Sequence, residues 1–284
     1  MEIFESGNHV ILKNLKHFGL SDIFDCGQCF RFDRVGESES FAGVAFGKYL
    51  AASQSEEGVY LETSLADFNG TWRRFFDLDR DYQKIFEQLC QNETLKQAAQ
   101  SCPGLRILRQ EPFECLISFI ISQNNNIPRI KKIIGSLCEN FGEKITQNGR
   151  IYHAFPTPEK LASLSPSELM PIKSGFRAKY ILDAATKVAS GEIDLDAVYA
   201  MKGTDGLEYL KKIKGVGDKV AACVLLFSYN KLETFPVDVW IGRVLEKYYP
   251  NTDYTKLFGE FAGIANSYLF YYERTLERNG GNKP

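Results

Sequence analysis

The first hundred residues alternate between apolar and polar side chains with a period of two. The alternation runs through residues 30–34, 41–46, 48–53 and 58–62, and turn-forming Gly, Ser and Glu residues separate these stretches. A period of two bounded by turn residues predicts the strands of an antiparallel sheet. Apolar positions at helical spacing in residues 79–100 then predict a helix that closes this β-rich part.

From about residue 103 the apolar positions recur at helical spacing, and strand signals are nearly absent. Thr157 and Ser165 each precede a proline, which is typical of a helix N-terminus with a hydroxyl N-cap. Further helices are predicted over residues 113–123, 130–141, 177–190, 205–212, 219–228, 238–248 and 255–277. We therefore expect an α+β fold, with an antiparallel β-sheet domain over residues 1–103 and an all-helical domain over residues 104–284.

Composition and charge place few limits on function. The chain has 284 residues, 44% of them hydrophobic and 25% charged, which is ordinary for a globular protein. Its formal net charge of -2 lacks the basic excess that many DNA-binding domains show. Only the local field at a docking face matters for binding, however, and 34 Lys and Arg residues are enough to build one such face.

The seven cysteines indicate a reducing compartment. Their number is odd, the chain is not small, and no apolar stretch has the length of a membrane span or the form of a signal peptide. We therefore expect free thiols and a cytoplasmic protein. Cys26 and Cys29 form the one Cys-x-x-Cys pair, and the three histidines do not cluster near it, so no metal site is predicted.

The segment with candidate chemistry begins at Gly215-Val216-Gly217, between two predicted helices. Two glycines spaced by one residue permit a tight turn with positive φ angles and expose backbone N–H groups at the start of the next helix. Such a helix N-terminus binds anions, of which a DNA phosphate is one. A lone Gly-x-Gly between helices is more often a packing turn, so the residues that follow it decide between these interpretations.

Lys219 lies just inside the second helix, and Asp238 opens the next helix after a Pro236-Val237 approach. Considered separately, such a lysine is usually a solvated surface charge and such an aspartate is usually a helix cap. Together they suit removal of a base from DNA. A carboxylate stabilises the positive charge that develops at C1′ of the sugar, and an amine captures that carbon.

Four segments in this order resemble the helix–hairpin–helix–Gly/Pro–Asp superfamily of DNA glycosylases, and most closely its 8-oxoguanine branch. They are DCGQCFR at 25–31, SQNNNIPRI at 122–130, KGVGDKVAAC at 214–223 and PVDV at 236–239. The resemblance extends over nearly the whole chain and implies a DNA cleft between helical lobes. By this resemblance, Lys219 is the nucleophile and Schiff-base lysine, and Asp238 is the catalytic carboxylate.

The resemblance also implies that the enzyme excises 8-oxoguanine and then cleaves the abasic site by β-elimination. The damaged nucleotide leaves the base stack before the lysine reaches its sugar. No cofactor or metal takes part in this chemistry, although the hairpin at 215–217 is a candidate site for a structural cation held by backbone carbonyls. The implied partner is double-stranded DNA containing 8-oxoguanine. A monomer is expected, without membrane contact, in the nucleoid of a prokaryote or the nucleus of a eukaryote.

Four residues match the family's base pocket. Gly27 corresponds to the glycine whose carbonyl accepts the N7–H that 8-oxoguanine has and guanine lacks. Cys223 matches the cysteine beside the lysine, and Phe270 matches the aromatic that stacks on the flipped base. Asn266 stands where a glutamine commonly contacts the base edge, and its side chain is shorter by one methylene.

Four other residues, Asn124, Arg129, Phe176 and Arg177, match positions that contact the opposite strand, and Trp240 matches a position near a phosphate. Asn124 and Arg129 correspond to residues that fill the gap left by the flipped base and contact its orphaned partner. Arg177 is a further candidate for the opposite base. Phe176 stands where a tyrosine is frequent, and Trp240 stands where a histidine is frequent. These departures leave open how strictly cytosine is required opposite the lesion.

Three other functions remain open from sequence. A related glycosylase could act on another damaged base. A non-catalytic helix–hairpin–helix module would need Gly215 and Gly217 but would have no use for a lysine–aspartate pair. A small-molecule enzyme with a Schiff-base lysine would need a phosphate or carboxylate clamp, and the sequence has none beyond the hairpin.

Overall fold

The computed structural model describes residues 1–280. Its N-terminal part is a six-stranded antiparallel sheet with strand order β1-β2-β6-β5-β4-β3. The strands are β1 (Glu2–Ser6), β2 (His9–Lys13), β3 (Phe32–Arg34), β4 (Ser40–Ala45), β5 (Lys48–Ser55) and β6 (Gly58–Glu62). The sheet confirms the expected antiparallel architecture of the N-terminal part.

The first two strands were not predicted from the sequence. In β2, Val10 and Leu12 are buried against the core, while Ile11 between them faces the other side of the sheet. Because Val10, Ile11 and Leu12 are all apolar, the sequence of β2 does not alternate between apolar and polar residues. In β1, an edge strand, all positions are exposed except the half-buried Ile3, so the alternation is weak.

Short helical segments cover one face of the sheet. These are α1 (Leu20–Phe24), α2 (Leu65–Asp67), a π-helical turn at Phe68–Trp72, and α3 (Arg73–Phe75). Their aromatic side chains form a core with the sheet, in which Phe24 stacks on Phe32 with ring centroids 4.3 Å apart. Fully buried Trp72 and Phe75 belong to the same core.

The remaining helices form the larger part of the molecule. They are α4 (Tyr82–Leu89), α5 (Glu93–Ser101), α6 (Pro112–Ser122), α7 (Ile127–Phe141), α8 (Pro158–Ala162), α9 (Ala178–Ala189), α10 (Gly203–Leu210), α11 (Asp218–Phe227), α12 (Val239–Tyr248), α13 (Tyr254–Phe258) and α14 (Ala262–Gly280). Across residues 1–280, every helix is too short or too polar to span a lipid bilayer.

Three predicted helices differ from the structure. The single helix over 79–100 is two helices, because Asn92 accepts a hydrogen bond from the Leu95 amide and starts α5 anew. The segment 255–277 is likewise divided between α13 and α14. Ser165 and Glu168 do form the reciprocal hydrogen bonds of a helix start, but a turn and a short 3₁₀ helix follow instead of an α-helix.

The helical part also contains a two-stranded hairpin that was not predicted, β7 (Lys144–Gln147) and β8 (Arg150–His153). Asn148 and Gly149 connect the strands, with φ angles of 52° and 71°. An Asn-Gly pair with two positive φ angles is the preferred two-residue turn of a hairpin. The signal is therefore present in the sequence, although the flanking strands are short and mostly polar.

The apolar side chains form two clusters, and the larger one includes helices that precede residue 103. The apolar side chains of α4 and α5 pack with those of the later helices, and α5 lies against α14. The sheet and α1–α3 form a separate apolar cluster. The division into domains at residue 103 stays a prediction, and the shared core places α4 and α5 with the helical part.

Candidate active site

A cleft of about 450 Å³ opens where α7, α11 and α12 begin and where α6 ends. The loop between α1 and β3 and the side chains of α14 complete its wall. An inner cavity of about 70 Å³ adjoins it. Five residues line both spaces, namely Gly27, Phe119, Lys219, Asp238 and Phe270. The structure therefore brings together candidates that lie far apart in the sequence.

The hairpin at 215–217 has the geometry that its glycines predict. Gly215 has a φ of +83°, and a Cβ atom there would lie 2.4 Å from the Tyr180 ring. Gly217 is the N-cap of α11 and supplies no side-chain acceptor. The N–H groups of the first turn of α11 thus receive no side-chain cap, which suits an external anion.

Lys219 projects from the first turn of α11 into the cleft. Its Nζ atom donates a hydrogen bond to Ser122 Oγ at 3.4 Å and lies 5.2 Å from the centre of the Phe119 ring. Cys223 follows one helical turn later and lines the inner cavity. Burial raises the pKa of the Cys223 thiol, and the positive charge of Lys219 opposes that shift.

Asp238 is both a helix cap and a cleft residue. It is the N-cap of α12, and its Oδ1 atom accepts a hydrogen bond from the Ile241 amide at 2.8 Å. The side chain also lines the cleft and the inner cavity together with Lys219. The capping and functional interpretations are therefore compatible, since one carboxylate oxygen is enough for the cap.

The inner cavity contains the four expected base-pocket residues. Gly27 has a φ of +89°, and a Cβ atom there would lie 3.2 Å from the Ile127 side chain and 3.6 Å from the Phe270 ring. Both the positive φ and this close approach favour glycine. Phe270, Cys223 and Asn266 line the same cavity.

Asn266 has a partner that its sequence position did not indicate. The side chain is buried, and its Nδ2 atom donates a hydrogen bond of 2.8 Å to the Pro236 carbonyl. Pro236 lies two residues before Asp238. The amide therefore ties α14 to the loop that carries the carboxylate, in addition to lining the cavity.

Asn124 lines a groove that Lys219 and Asp238 also line, and Arg177 donates hydrogen bonds to the Gln123 and Asn124 carbonyls. We call the four candidates for the opposite strand, Asn124, Arg129, Phe176 and Arg177, the rim. Asn124 is exposed and adopts a left-handed backbone with a φ of +46°. Phe176 is 52% exposed and lies under the Arg177 guanidinium, 4.4 Å from it. Arg129 is exposed on the first turn of α7.

Arg177 itself is buried, with its guanidinium donating hydrogen bonds to the backbone carbonyls of Gln123, Asn124 and Ser174. Burial lowers the pKa of Arg177, and the nearby positive charge of Arg129 adds to this effect. Within residues 1–280 neither guanidinium forms an ion pair with a carboxylate. The rim thus presents the Arg129 guanidinium, whereas backbone carbonyls hold the Arg177 guanidinium below the surface.

Sequence reasoning missed several cleft residues. Phe119 and Ser122, at the end of α6, contact Lys219, but 97 residues separate Ser122 from the lysine. Arg274 lines the cleft and donates a hydrogen bond of 3.1 Å from Nη1 to the Asp25 carbonyl. Ser122 is the first residue of the 122–130 segment that resembles the family. The local sequence pattern gave no indication that Phe119 or Arg274 lines the cleft.

Two family matches cover most of the chain. Residues 10–116 match the 8-oxoguanine DNA glycosylase N-terminal domain, and residues 117–258 match the HhH-GPD superfamily of base excision DNA repair proteins. The Saccharomyces cerevisiae N-glycosylase/DNA lyase is 33% identical over 267 residues, 83% of this chain and 69% of that protein. A probable N-glycosylase/DNA lyase of Methanothermobacter thermautotrophicus is 31% identical over 70% of this chain and 72% of its own.

Solved structures are similar over nearly the full length. The 8-oxoguanine glycosylase/lyase of Clostridium acetobutylicum, in complex with double-stranded DNA that has cytosine opposite 8-oxoguanine, is 39% identical. The two structures superpose with a TM-score of 0.94 over 98% of this chain and 99% of that chain. The Archaeoglobus fulgidus 3-methyladenine DNA-glycosylase, at 20% identity and a TM-score of 0.74, shares the fold.

A helix–hairpin–helix beside a cleft with a lysine and a carboxylate is the architecture of base excision DNA glycosylases. The chain belongs to the HhH-GPD superfamily, within its 8-oxoguanine DNA glycosylase family. The chemistry of this superfamily needs no cofactor.

Proposed function

We propose that this protein excises 8-oxoguanine from duplex DNA with Lys219 as the nucleophile and Asp238 as the charge-stabilising carboxylate. It is a bifunctional base excision repair enzyme, a DNA glycosylase with abasic-site lyase activity. The observation that carries the assignment of residues is the shared position of Lys219 and Asp238 on the wall of the cleft and of its inner cavity.

The reaction begins when the flipped base enters the inner cavity and its sugar lies against Lys219. The neutral amine attacks C1′ as the bond from C1′ to the base breaks and the base leaves with the bonding electrons. Asp238 stabilises the positive charge that develops on the sugar before the new bond is complete. The hydrogen bond from the Ile241 amide fixes the carboxylate in place.

The covalent intermediate leads to strand cleavage. The amine nitrogen keeps its bond to C1′ while the C1′–O4′ bond breaks and a proton passes from the nitrogen to O4′. The sugar ring is then open, and the nitrogen and C1′ form a protonated Schiff base. Loss of a proton from C2′ then expels the 3′ phosphate by β-elimination. Phe119 and Ser122 form the wall of the cleft next to Lys219. Their contacts hold its Nζ atom at the junction between the cleft and the inner cavity.

Base recognition is assigned to the inner cavity. The Gly27 carbonyl accepts N7–H of 8-oxoguanine, whereas the N7 lone pair of guanine would repel it. Phe270 stacks on the base, and Cys223 lies against it beside the lysine. Asn266 is the candidate for the base edge, with one of its donors used by the Pro236 carbonyl.

The rim is assigned to the opposite strand. Asn124 and Phe176 are exposed there, where they fill the gap left by the flipped base. Arg129 and Arg177 supply donors to the orphaned base, which is cytosine when the lesion arises from a G·C pair. The cleft-lining Trp240 contributes an aromatic surface near the helix N-termini.

Phosphate binding is assigned to Gly215, Val216 and Gly217 at the start of α11. A structural cation at this hairpin stays a prediction. Two carbonyls near the turn already accept backbone hydrogen bonds, Ile213 from Val216 and Gly217 from Ala221. In the described part of the chain, no group of three or more metal-ligating side chains forms elsewhere. A monomer acting in the nucleoid or nucleus also remains our proposal.

Borohydride trapping tests the nucleophile. Duplex DNA with one 8-oxoguanine opposite cytosine, incubated with the protein and borohydride, should yield a covalent adduct because reduction converts the Schiff base to a stable amine. Lys219→Gln should abolish the adduct, whereas Lys84→Gln, on the exposed face of α4, should retain it. An active wild-type protein whose Lys219→Gln variant still forms the adduct would show that the nucleophile lies elsewhere.

The same assay separates the alternative functions. A DNA-binding module without chemistry gives no adduct and no released base with any duplex. A glycosylase for another lesion releases an alkylated or oxidised pyrimidine base faster than 8-oxoguanine. Gly27 lines the inner cavity, and the match of its carbonyl to the acceptor for N7–H favours 8-oxoguanine over these substrates.

A further inference from the structure

Gln28, the residue after Gly27, forms hydrogen bonds through its side chain with three backbone groups in two segments, α1 and residues 106–108. The residue is 1% exposed. Its Nε2 atom donates hydrogen bonds to the carbonyls of Ile23 at 3.0 Å and Arg106 at 2.7 Å. Its Oε1 atom accepts one from the Leu108 amide at 2.9 Å. The side-chain amide is thus satisfied by main chain alone and has fixed partners on both atoms.

A second buried glutamine extends this connection to the helix of the proposed nucleophile. Gln110 Nε2 donates to the Gln28 carbonyl at 2.7 Å. The Gln110 amide donates to the carbonyl of Phe227, the last residue of α11, at 2.9 Å. The Gln110 carbonyl accepts from Ser228 Oγ at 2.9 Å. A continuous chain of hydrogen bonds therefore joins the Gly27 loop to the C-terminal end of the helix that begins beside Lys219.

The geometry of the peptide bond makes this clamp relevant to Gly27. The Gly27 carbonyl and the nitrogen and Cα of Gln28 lie in one plane, because the peptide bond between them is planar. Whatever fixes the position of Gln28 limits the direction in which the Gly27 carbonyl points. Gly27 cannot supply this restraint itself, since it has no side chain and a φ of +89°.

We infer that Gln28, supported by Gln110, is a positioning residue that sets the Gly27 carbonyl for selection of 8-oxoguanine. The inference rests on the proposed function, in particular on the Gly27 carbonyl as the acceptor for N7–H. A single hydrogen bond separates the lesion from guanine at this point, so a small rotation of the carbonyl weakens the selected contact. A merely structural glutamine would affect all activities of the enzyme equally.

Two reactions of the same protein distinguish these roles. Excision of 8-oxoguanine requires the base pocket, whereas cleavage of a preformed abasic site requires Lys219 and an intact cleft but no base. Gln28→Met keeps the length of the side chain and removes its three hydrogen bonds. We expect single-turnover excision opposite cytosine to slow about 10- to 100-fold, and abasic-site cleavage to stay within about threefold of wild type.

Gln54→Met is the matched control. Gln54 also bridges main chain through both amide atoms, accepting from the Leu20 amide and donating to the Phe18 carbonyl, each at 2.9 Å. It lies in β5, outside the cleft and the inner cavity. This variant should leave the ratio of excision to abasic-site cleavage unchanged, even where it lowers the melting temperature.

Gln110→Met is the second variant. It tests the positioning role independently if Gln28→Met does not fold. It removes the hydrogen bond to the Gln28 carbonyl and should slow excision selectively, by about 3- to 10-fold. Equal losses in excision and abasic-site cleavage, or unchanged excision, would overturn the inference. Failure of the proposed function itself is distinguishable, since the wild-type protein would then release no 8-oxoguanine.

Discussion

Asp238 shows how one side chain satisfies a structural and a chemical requirement. Its Oδ1 atom caps α12, and the side chain lines the cleft beside Lys219. A capping hydrogen bond restrains the carboxylate at the place where positive charge develops on the sugar. Restraint of this kind lowers the reorganisation that the transition state requires.

Substitution of Asp238 separates the two requirements. Asn is also a good N-cap, so Asp238→Asn should keep α12 and the binding of damaged DNA, while the loss of negative charge slows excision about 100-fold or more. Asp238→Ala should in addition lower the free energy of unfolding by about 1 kcal/mol. Single-turnover kinetics, binding assays and urea unfolding measure these effects. Joint loss of binding and folding in Asp238→Asn would support a purely structural cap.

The sequence paired Lys219 with Asp238 because each lies at the start of a helix within one continuous segment of the chain. It did not reveal Phe119 or Ser122, whose approach to the lysine depends on how α6 packs against α11. Nor did it show that Arg177 is buried. The burial of a charged side chain depends on the carbonyls that surround it, and these come from a distant turn.

At the scale of elements, the hairpin before α11 depends on Gly215 in two ways. A side chain there would be strained by the positive φ and would collide with the Tyr180 ring. Gly215→Ala should therefore distort the phosphate-binding turn and weaken binding of damaged and undamaged duplexes by a similar factor, about tenfold. Fluorescence anisotropy with both duplexes measures this effect.

Gly217→Ala provides the comparison for stability. A Cβ atom at Gly217 meets nothing within 4 Å, and its φ is −101°. Thermal unfolding should show a clear loss for Gly215→Ala and a small change for Gly217→Ala. Weakened binding of the damaged duplex alone in Gly215→Ala would mean that the hairpin contacts the lesion and not the common backbone.

Capping residues predicted the ends of some elements and not of others. Thr157 caps α8 as expected, through a hydrogen bond from the Lys160 amide. The division at Asn92 was missed, because apolar positions keep helical spacing on both sides of it. The β7–β8 hairpin was missed since its strands lack the apolar alternation on which strand prediction depends, although its turn residues were informative.

At the scale of the whole molecule, a buried ion pair joins the N-terminal part to the helical part. Arg31, just before β3, lies 3.1 Å from Glu114 of α6, and both side chains are 9% exposed. The arginine also donates to the His153 carbonyl in β8. The pair thus connects the sheet, a core helix and the hairpin at one point.

Removal of Arg31 or Glu114 alone should destabilise the fold, because it leaves the other charge buried without a partner of opposite charge. Arg31→Met should lower the free energy of unfolding by about 3 kcal/mol or more, and Arg31→Met/Glu114→Leu should recover much of that loss. Urea denaturation of the two single variants and the double variant forms the required cycle. Additive losses in the double variant would show that the ion pair contributes no coupling.

The fold class followed from sequence, since a period of two gave way to helical spacing along the chain. The boundary between the N-terminal part and the helical part was harder to predict from the sequence. The apolar faces of α4 and α5 pack against helices that come much later, and local periodicity carries no information about the partner of an apolar face. Likewise, the net charge of -2 said little about DNA, because the exposed guanidinium of Arg129 is a local feature.

The seven cysteines have a consequence for the conditions in which the enzyme must work. 8-Oxoguanine is a product of oxidants, and the same oxidants attack thiolates. All seven thiols are unpaired, and six of them are buried. Burial raises the pKa of every one, to about 12 for Cys26 beside the base pocket. Because the thiolate is the reactive form, a raised pKa slows oxidation of these side chains, so the enzyme should keep its activity in the presence of the oxidants that create its substrate.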